Sequence, residues 1–297
     1  MRALRIHAYG GPEVMRLEEA AIPVPGPGQV LVRVRAASVN PIDWKMRRGL
    51  MQKVFPIAFP RTLGRDCAGE MEGGLVAGVT DPRTDGSHAE YALLPADQAA
   101  PVPAGLDLAA AASLCVTGLA AYIALIEIAR LAGGQRVLVH AGAGGVGSLA
   151  IQMASRLGVE VFTTASPPNR DYCLALGATQ VIDYRKQDFT AAIPPCDVVF
   201  DTLGGEAHRR SMKMLKPGGV LVALAAAPIP RGERRADVRV VMAQVRPTRA
   251  RLEQIFRWAT SGVLRAQVTH AYRPEEASKA YAISESGHAR GKMVILF

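Results

Sequence analysis

The sequence predicts an α/β protein in which a Rossmann doubly wound parallel sheet is joined to a β-rich domain. Three observations lead there. The apolar β-type run Arg136-Val-Leu-Val-His140 empties into Ala141-Gly-Ala-Gly-Gly-Val-Gly147, and that turn opens a helical stretch from Ser148 to Leu157. The middle of the chain alternates strand and helix, as a parallel sheet covered on both faces does. The first part, up to about residue 100, instead alternates apolar and polar residues between turn signals.

Each element can be justified in order. Pro23-Val-Pro-Gly-Pro-Gly28 is a turn, because neither helix nor ladder tolerates that density of Pro and Gly. Gln29-Val-Leu-Val-Arg-Val-Arg35 alternates as a half-buried strand, and Ala89-Glu-Tyr-Ala-Leu-Leu94 is a second. The stretch Leu108 to Ile126 is uncharged and long enough to span a bilayer. It is Ala-rich, flanked by Asp107 and Glu127, and interrupted at Thr117-Gly118, so it reads as two buried helices with a break there. Strands follow near 136–140, 160–165, 180–183, 196–201 and 219–224, with helices near 117–131, 146–157, 169–176 and 206–215. Arg249 to Ser261 is an amphipathic helix. The tail, Ala266 to Phe297, returns to short strands with a helix from Pro274 to Ser286.

The turn carries the first functional reading. Gly142, Gly144 and Gly147 fit G-x-G-x-x-G in the context that gives the pattern meaning, strand then turn then helix. The first glycine allows the tight turn, the second lets a pyrophosphate approach the backbone, and the third lets helix and strand pack closely. Free N–H groups of Gly142, Ala143, Gly144, Gly145, Val146 and Gly147 are then available to a dinucleotide. A cofactor carrying a free ribose 2′-OH is usually met by an Asp or Glu at the tip of the second strand. None stands between Val161 and Arg170, and Glu160 lies at the start of that strand. Ser166, Asn169 and Arg170 offer donors suited to a 2′-phosphate, so NADPH is the expected cofactor.

Composition narrows the class. Of 297 residues, 49% are hydrophobic and 21% charged, an ordinary globular balance that leaves room for two domains. The net charge of +9, from 35 Lys+Arg against 26 Asp+Glu, could attract nucleic acid. Yet the basic residues are scattered, and the one local excess, Arg231 to Arg239, reads as a solvated loop. An anionic cofactor suffices to explain the charge, and no nucleic-acid partner is expected. Cys67, Cys115, Cys173 and Cys196 show no C-x-x-C spacing and read as free thiols of a reducing cytoplasm. Met1-Arg-Ala-Leu-Arg-Ile-His7 lacks the apolar core of a signal peptide.

Several further segments resemble the zinc-independent medium-chain dehydrogenase/reductase superfamily, and within it the quinone oxidoreductases, the group containing zeta-crystallin. They are Ser38-Val-Asn-Pro-Ile-Asp43, Leu63-Gly-Arg-Asp-Cys-Ala-Gly69, His88-Ala-Glu-Tyr91, Leu176-Gly-Ala-Thr-Gln-Val-Ile-Asp-Tyr184, Asp197-Val-Val-Phe-Asp201, Lys216-Pro-Gly-Gly219 and Ser286-Gly-His-Ala-Arg-Gly-Lys292. The resemblance implies a GroES-like catalytic domain over 1–102 and 265–297, around a Rossmann domain at 103–264, with the active site in the cleft between them. It further implies Asn40, Asp43, Trp44 and Lys45 as cleft residues, with Arg65 nearby. Thr117 matches a family position near the nicotinamide and Tyr184 one near the 2′-phosphate.

Zinc is argued against by residue chemistry as well. Zinc-dependent relatives place Cys where Asn40 stands and Gly-His-Glu where Gly64-Arg-Asp66 stands, and neither Asn nor Arg supplies the thiolate or imidazole that catalytic Zn²⁺ requires. The six histidines are dispersed; His88, His208, His270 and His288 read as single surface or core residues. One departure concerns residues 75–85: relatives carry a longer segment there with a Val-Gly-Asp-Arg-Val motif, so the β domain is trimmed on its substrate-facing side.

Without zinc, the feasible reaction is hydride transfer from NADPH to a quinone or the β-carbon of an enone. Relatives often carry Tyr where Lys45 stands. Trp44 is either a stacking surface for a flat quinone or a core aromatic. Thr202 closes the fourth strand, where ligands lie in an open α/β sheet. No residue makes a convincing general acid, which leaves water as the expected proton source. Two alternatives stay open: an enoyl-thioester reductase of the same fold, and a low-turnover NADPH-binding sensor or RNA-binding protein. Val238-Arg-Val-Val-Met-Ala243 reads as a strand at the edge of the core sheet, which predicts a homodimer through that edge.

Overall fold

Residues 1–224 and 235–297 are described in the computed structural model, so the Arg231–Arg239 loop lies outside the described residues as far as position 234. By contact, the chain divides into two compact units. One comprises Met1–Val116, Pro247–Gly262 and Ala266–Phe297; the other comprises Thr117–Arg246 and Val263–Arg265. The grouping departs from the expected boundary at 102/103, and the bonding explains it. The Val116 N–H donates to Asp66 in the first unit. The Arg249 guanidinium donates to the carbonyls of Ala96 and Ala99, which draws its helix to the same unit.

The first unit opens with β1 (Arg2–Ile6), β2 (Met15–Glu19) and β3 (Gln29–Ser38). Helix α1 (Pro41–Arg47) follows, started by an Asn40–Asp43 capping box with Pro at its first position. Then come β4 (Arg61–Thr62), β5 (Asp66–Met71), β6 (Gly74–Val79), β7 (Tyr91–Pro95) and β8 (Ala100–Pro101). Strands β2, β1 and β4 make a small antiparallel sheet. The trimmed segment after β6 is tied down locally. The Arg61 guanidinium donates to the carbonyls of Pro82 and Arg83, and Asp85 accepts the Thr62 N–H.

Helix α2 (Leu108–Tyr122) runs through Thr117-Gly118 without interruption and passes into a π-helical stretch, Ile123–Ile128. The expected break at Thr117-Gly118 is therefore absent. Glycine weakens a helix by only about 1 kcal/mol, and tertiary packing overrides that. The irregularity falls a turn later, where Ala129 donates to Ala124 and Leu131 to Leu125. The whole run, Leu108–Ile128, is long and apolar enough to cross a membrane, but 72% of its most apolar window is buried inside the protein.

The second unit is a six-stranded parallel sheet of β9 (Arg136–Val139), β10 (Glu160–Ala165), β11 (Gln180–Asp183), β12 (Cys196–Asp201), β13 (Leu215–Ala223) and β14 (Arg239–Met242). Their spatial order is β11-β10-β9-β12-β13-β14, the doubly wound arrangement that reverses between β9 and β12. Helices α3 (Gly145–Arg156), α4 (Arg170–Ala175), α5 (Phe189–Ala192) and α6 (Gly205–Ser211) connect them. One face of the sheet buries Leu138, Phe162, Ile182, Val199 and Leu221 in a single cluster. Strand β13 begins four residues earlier than expected. Leu215 pairs with Cys196, the register then shifts, and Gly218 takes a positive φ within the irregularity.

The chain then returns to the first unit through α7 (Arg249–Thr260), β15 (Val268–Tyr272), α8 (Ala277–Glu285) and β16 (Lys292–Leu296). These strands complete a sheet ordered β15-β16-β3-β5-β6-β8, with β7 on the other half of β3. The pairing of β16 with β3 brings Lys292 to the end of β3, beside Asn40.

Candidate active site

In the second unit, the C-terminal ends of β9, β10 and β12 converge at the point where strand order reverses, which is where ligands of open α/β sheets lie. The three glycines there divide their work as the motif requires. A Cβ at Gly142 would stand 2.0 Å from Thr163 Oγ1 and 2.8 Å from Ile151, and one at Gly147 would stand 2.3 Å from the Ala141 carbonyl. Both positions are closed by the protein itself. A Cβ at Gly144 would have Ala141 O, at 3.4 Å, as its only near neighbour. Its bare face is a cradle open to a ligand, so the residues present fit a pyrophosphate. Ala141 adopts a left-handed φ of 52°, a strained choice for a non-glycine that turns the chain abruptly out of β9. Gly144 precedes α3, no side chain caps that end, and Gly145 and Val146 form its half-buried first turn while Ala143 is buried.

A buried polar lattice holds the neighbouring loops. Thr202 Oγ1 donates to the His140 carbonyl at 2.9 Å. Asp201 accepts the Leu203 and Gly204 N–H groups, each at 2.9 Å, and its other oxygen lies 2.8 Å from His208 Nδ1. His140 Nε2 lies 2.7 Å from Ser211 Oγ and Nδ1 lies 3.2 Å from Thr164 Oγ1. Burial holds the His140 imidazole down at about 4, so the ring is neutral at physiological pH. Thr117 is buried at the start of this unit.

The residues expected to meet a 2′-phosphate lie at the β10–β11 edge. Ala165 pairs with Asp183, so the next residues, Ser166 and Tyr184, leave adjacent strand ends together. Asn169 donates to Ser166 Oγ at 3.1 Å, and Arg170, the first residue of α4, is solvent-exposed and 3.3 Å from Asp171. Tyr184 is half exposed beneath the Arg185 guanidinium, 5.7 Å from the ring centre. This edge is thus supplied with hydroxyls and guanidinium groups, and no acid stands at the tip of β10.

The first unit brings Asn40, Asp43 and Arg65 together around residues that were not among the expected cleft residues. Asn40 and Asp43 are each only 1% exposed. Lys292 Nζ donates to Asn40 Oδ1 at 2.8 Å and to the Val39 carbonyl at 2.6 Å. Asn40 Nδ2 donates to Asp66 Oδ1 at 3.0 Å, and Ser38 Oγ donates to the same oxygen at 2.6 Å. Asp66 Oδ2 accepts the Val116 N–H at 3.1 Å. Both functional ends of the Asn40 amide are therefore committed inward, and its role is to fix the turn. His88 packs behind, with Nδ1 2.8 Å from Tyr281 OH and Nε2 3.2 Å from the Ser38 carbonyl. Burial holds it down at about 4.

Asp43 Oδ2 accepts the Asn40 N–H at 2.7 Å, while Oδ1 has no hydrogen-bond partner among the described residues. Burial, aided by repulsion from Asp66, raises this carboxyl to about 7 against the attraction of Lys292 and Arg65. Arg65 donates to the Thr80 carbonyl and hydroxyl. The Trp44 ring is half-buried against the core cluster of Leu4, Ile6, Leu63 and Tyr281. Its Nε1 is buried without a partner among the described residues. Lys45 Nζ lies 5.6 Å from the Trp44 ring centre, and burial lowers its pKa. The network residues Ser38, Asp66, Lys292 and Tyr281 come from four separate segments. Local spacing holds no signal for their meeting, although Ser38, Asp66 and Lys292 each fall within a motif quoted for the resemblance. Among the described residues, no group of three or more His, Cys, Asp or Glu side chains could hold a metal ion.

Residues 26–75 match the alcohol dehydrogenase GroES-like domain family, and residues 176–295 match the family described as zinc-binding dehydrogenase. A trans-enoyl reductase of Aspergillus terreus is 31% identical over 312 positions, covering 91% of this chain and 86% of that protein. The quinone oxidoreductase of Sus scrofa is 31% identical, covering 100% and 98%. The chain belongs to the quinone oxidoreductase family of zinc-independent medium-chain dehydrogenases/reductases. Solved structures agree. The quinone oxidoreductase from Coxiella burnetii superposes with a TM-score of 0.92 at 32% identity, covering 100% of this chain and 99% of that one. That of Escherichia coli, solved in complex with NADPH, gives 0.91 at 26% identity with both chains fully covered.

The glycines separate folding from ligand binding. Gly144→Val should unfold within a few degrees of the wild type yet lose detectable NADPH binding, because its side chain would enter the ligand's space. Gly147→Ala should lower the unfolding temperature instead, since overpacking costs about 1–3 kcal/mol. Thermal unfolding and NADPH fluorescence titration of the two variants check this, and native NADPH affinity in Gly144→Val would exclude the assignment.

Proposed function

We propose that this protein is an NADPH-dependent oxidoreductase that passes hydride to a quinone or an α,β-unsaturated carbonyl without zinc. The observation that carries the reading is the open face at Gly144, together with a β10 tip that leads into Ser166 with no acid, beside Tyr184 at the end of β11. Gly142 to Gly147 would hold the pyrophosphate, Ser166, Asn169, Arg170 and Tyr184 the 2′-phosphate, and Thr117 and Thr202 would flank the nicotinamide end. NADPH supplies the hydride, and the protein supplies position and charge stabilisation. The Asn40–Lys45 turn, with Arg65, would handle the substrate, a role supported by the two unsatisfied polar atoms at Asp43 and Trp44. On this reading, 1–102 and 265–297 form the catalytic domain and 103–264 the cofactor domain of a soluble cytoplasmic enzyme. The Aspergillus relative named trans-enoyl reductase favours an enoyl thioester as the second substrate class to test.

A panel of NADPH and NADH against quinones, alkenals and enoyl thioesters tests the reading. NADPH should be consumed with quinones or enones, and Arg170→Ala should weaken NADPH by roughly ten- to a hundredfold while leaving NADH nearly unchanged. A charge-assisted hydrogen bond is worth about 1.5–3 kcal/mol. Equal, tight binding of NADH and NADPH by the wild type would contradict it.

We further propose a homodimer paired through β14. This strand forms the outer edge of the second unit's sheet, with Val240 44% and Met242 41% exposed. An uncovered apolar edge is a pairing template, and a two-fold partner would satisfy it. Light scattering at micromolar concentration should give the dimer mass for the wild type, shifting toward monomer in the double variant Val240→Lys, Met242→Lys. A monomeric wild type would refute the pairing.

A further inference from the structure

Asp43, whose Oδ1 is buried without a partner among the described residues, lines a cavity of about 10 Å³, the space of a single water, together with Leu63, Gly64 and Arg65 on one side and Asp81, Thr84 and Gly86 on the other. The second wall is the trimmed segment after β6, held in place by Arg61 through Pro82 and Arg83. The cavity thus lies under a short, locally tethered piece of surface, with polar groups on both walls.

We propose that Asp43 is the proton-relay residue of the reduction, delivering its proton toward the substrate turn and recovering it from solvent through a water seated in this cavity. The inference rests on the reading of Asn40–Lys45 as the substrate segment, and it replaces water as the sole proton source. The balance is complete. An enone gains two electrons with one hydrogen as hydride from NADPH, forming a C–H bond at the β-carbon and leaving an enolate. The enolate takes the proton lost by the Asp43 carboxyl, and the resulting carboxylate takes a proton from solvent. A quinone reaches the hydroquinone by the same count.

The surroundings suit a group that changes charge during turnover. Asp66 from β5, Lys292 from β16, Arg65 before β5 and Tyr281 from α8 face the carboxyl within the unit, and Arg61 and Asp81 stand across the cavity. Burial raises the carboxyl to about 7, with Asp66 adding to the rise and the Asn40 N–H bond, Lys292 and Arg65 opposing it, so that it both holds and releases a proton at neutral pH. The Asn40 N–H bond to Oδ2 survives either protonation state, because that oxygen remains an acceptor. The turn therefore stays in place while the proton moves.

The test is the pH dependence of enone reduction with NADPH. Because the protonated form is required, wild-type kcat should be level below pH 7 and fall about tenfold per unit above it. Asp43→Asn keeps an acceptor for the Asn40 N–H, so NADPH affinity should stay within about twofold. Its kcat should drop at least tenfold at pH 6 and lose the alkaline limb. A variant with the wild-type rate and the wild-type limb overturns the relay alone. A wild type that consumes no NADPH with any quinone or enone overturns the functional reading beneath it. An infrared titration of the wild type gives an independent readout. A carboxylic C=O band should disappear with a midpoint near that of the kinetic limb, and an acid ionised throughout pH 5–9 overturns the proposal without any variant.

Discussion

The ammonium of Lys292 sets the geometry on which the Asn40 turn of the first unit depends. It reaches from the last strand of the chain to the Val39 carbonyl and the Asn40 amide, 252 residues away in sequence for the latter. Asn40 passes the constraint to Asp66, and Asp66 passes it to the backbone of α2 at Val116. Removing an ammonium from water costs several kcal/mol, and burial pulls the Lys292 pKa down while Asp66 and Asp43 push it back up. Such a network is worth keeping only when complete, because a half-satisfied one leaves a buried charge without a partner. In this chain it gathers β3, β5, β16 and the start of α1 around a charge balance of Lys292 and Arg65 against Asp43 and Asp66.

Much of the second unit was legible because its signals are local. The expected limits of 160–165, 180–183 and 196–201 coincide with β10, β11 and β12, since parallel core strands are short apolar runs bounded by turns. The three glycine roles are legible for the same reason. What failed was tertiary in origin. Gly118 does not break α2, because a buried helix can absorb its small propensity cost. Strand β13 starts at Leu215, ahead of the glycines, because pairing with Cys196 recruits residues that alone read as a turn.

In the first unit, the directions of the side chains were not legible in the sequence. Asn40 and Asp43, expected as cleft residues, are buried, Asn40 bonded to Lys292 and Asp66 and Asp43 lining the cavity. A turn motif reveals that the backbone reverses, not which atoms are buried. Lys292 and Tyr281 reach the site only through the pairing of β16 with β3 and the packing of α8, neither of which leaves a local trace. The two units thus carry different kinds of design. The second offers open backbone at Gly144, whereas the first holds a buried polar lattice in which Asp43 Oδ1 has no hydrogen-bond partner among the described residues.

Whether this ammonium organises the Asn40–Lys45 turn is decided by thermal unfolding of Lys292→Met, because methionine preserves the length and apolar stem of lysine while deleting the charge and its donors. Breaking a buried ionic network by removing one partner costs about 3–5 kcal/mol. The unfolding temperature should therefore fall by roughly 10 °C. A variant that unfolds within a degree of the wild type would show that the turn is held by packing alone.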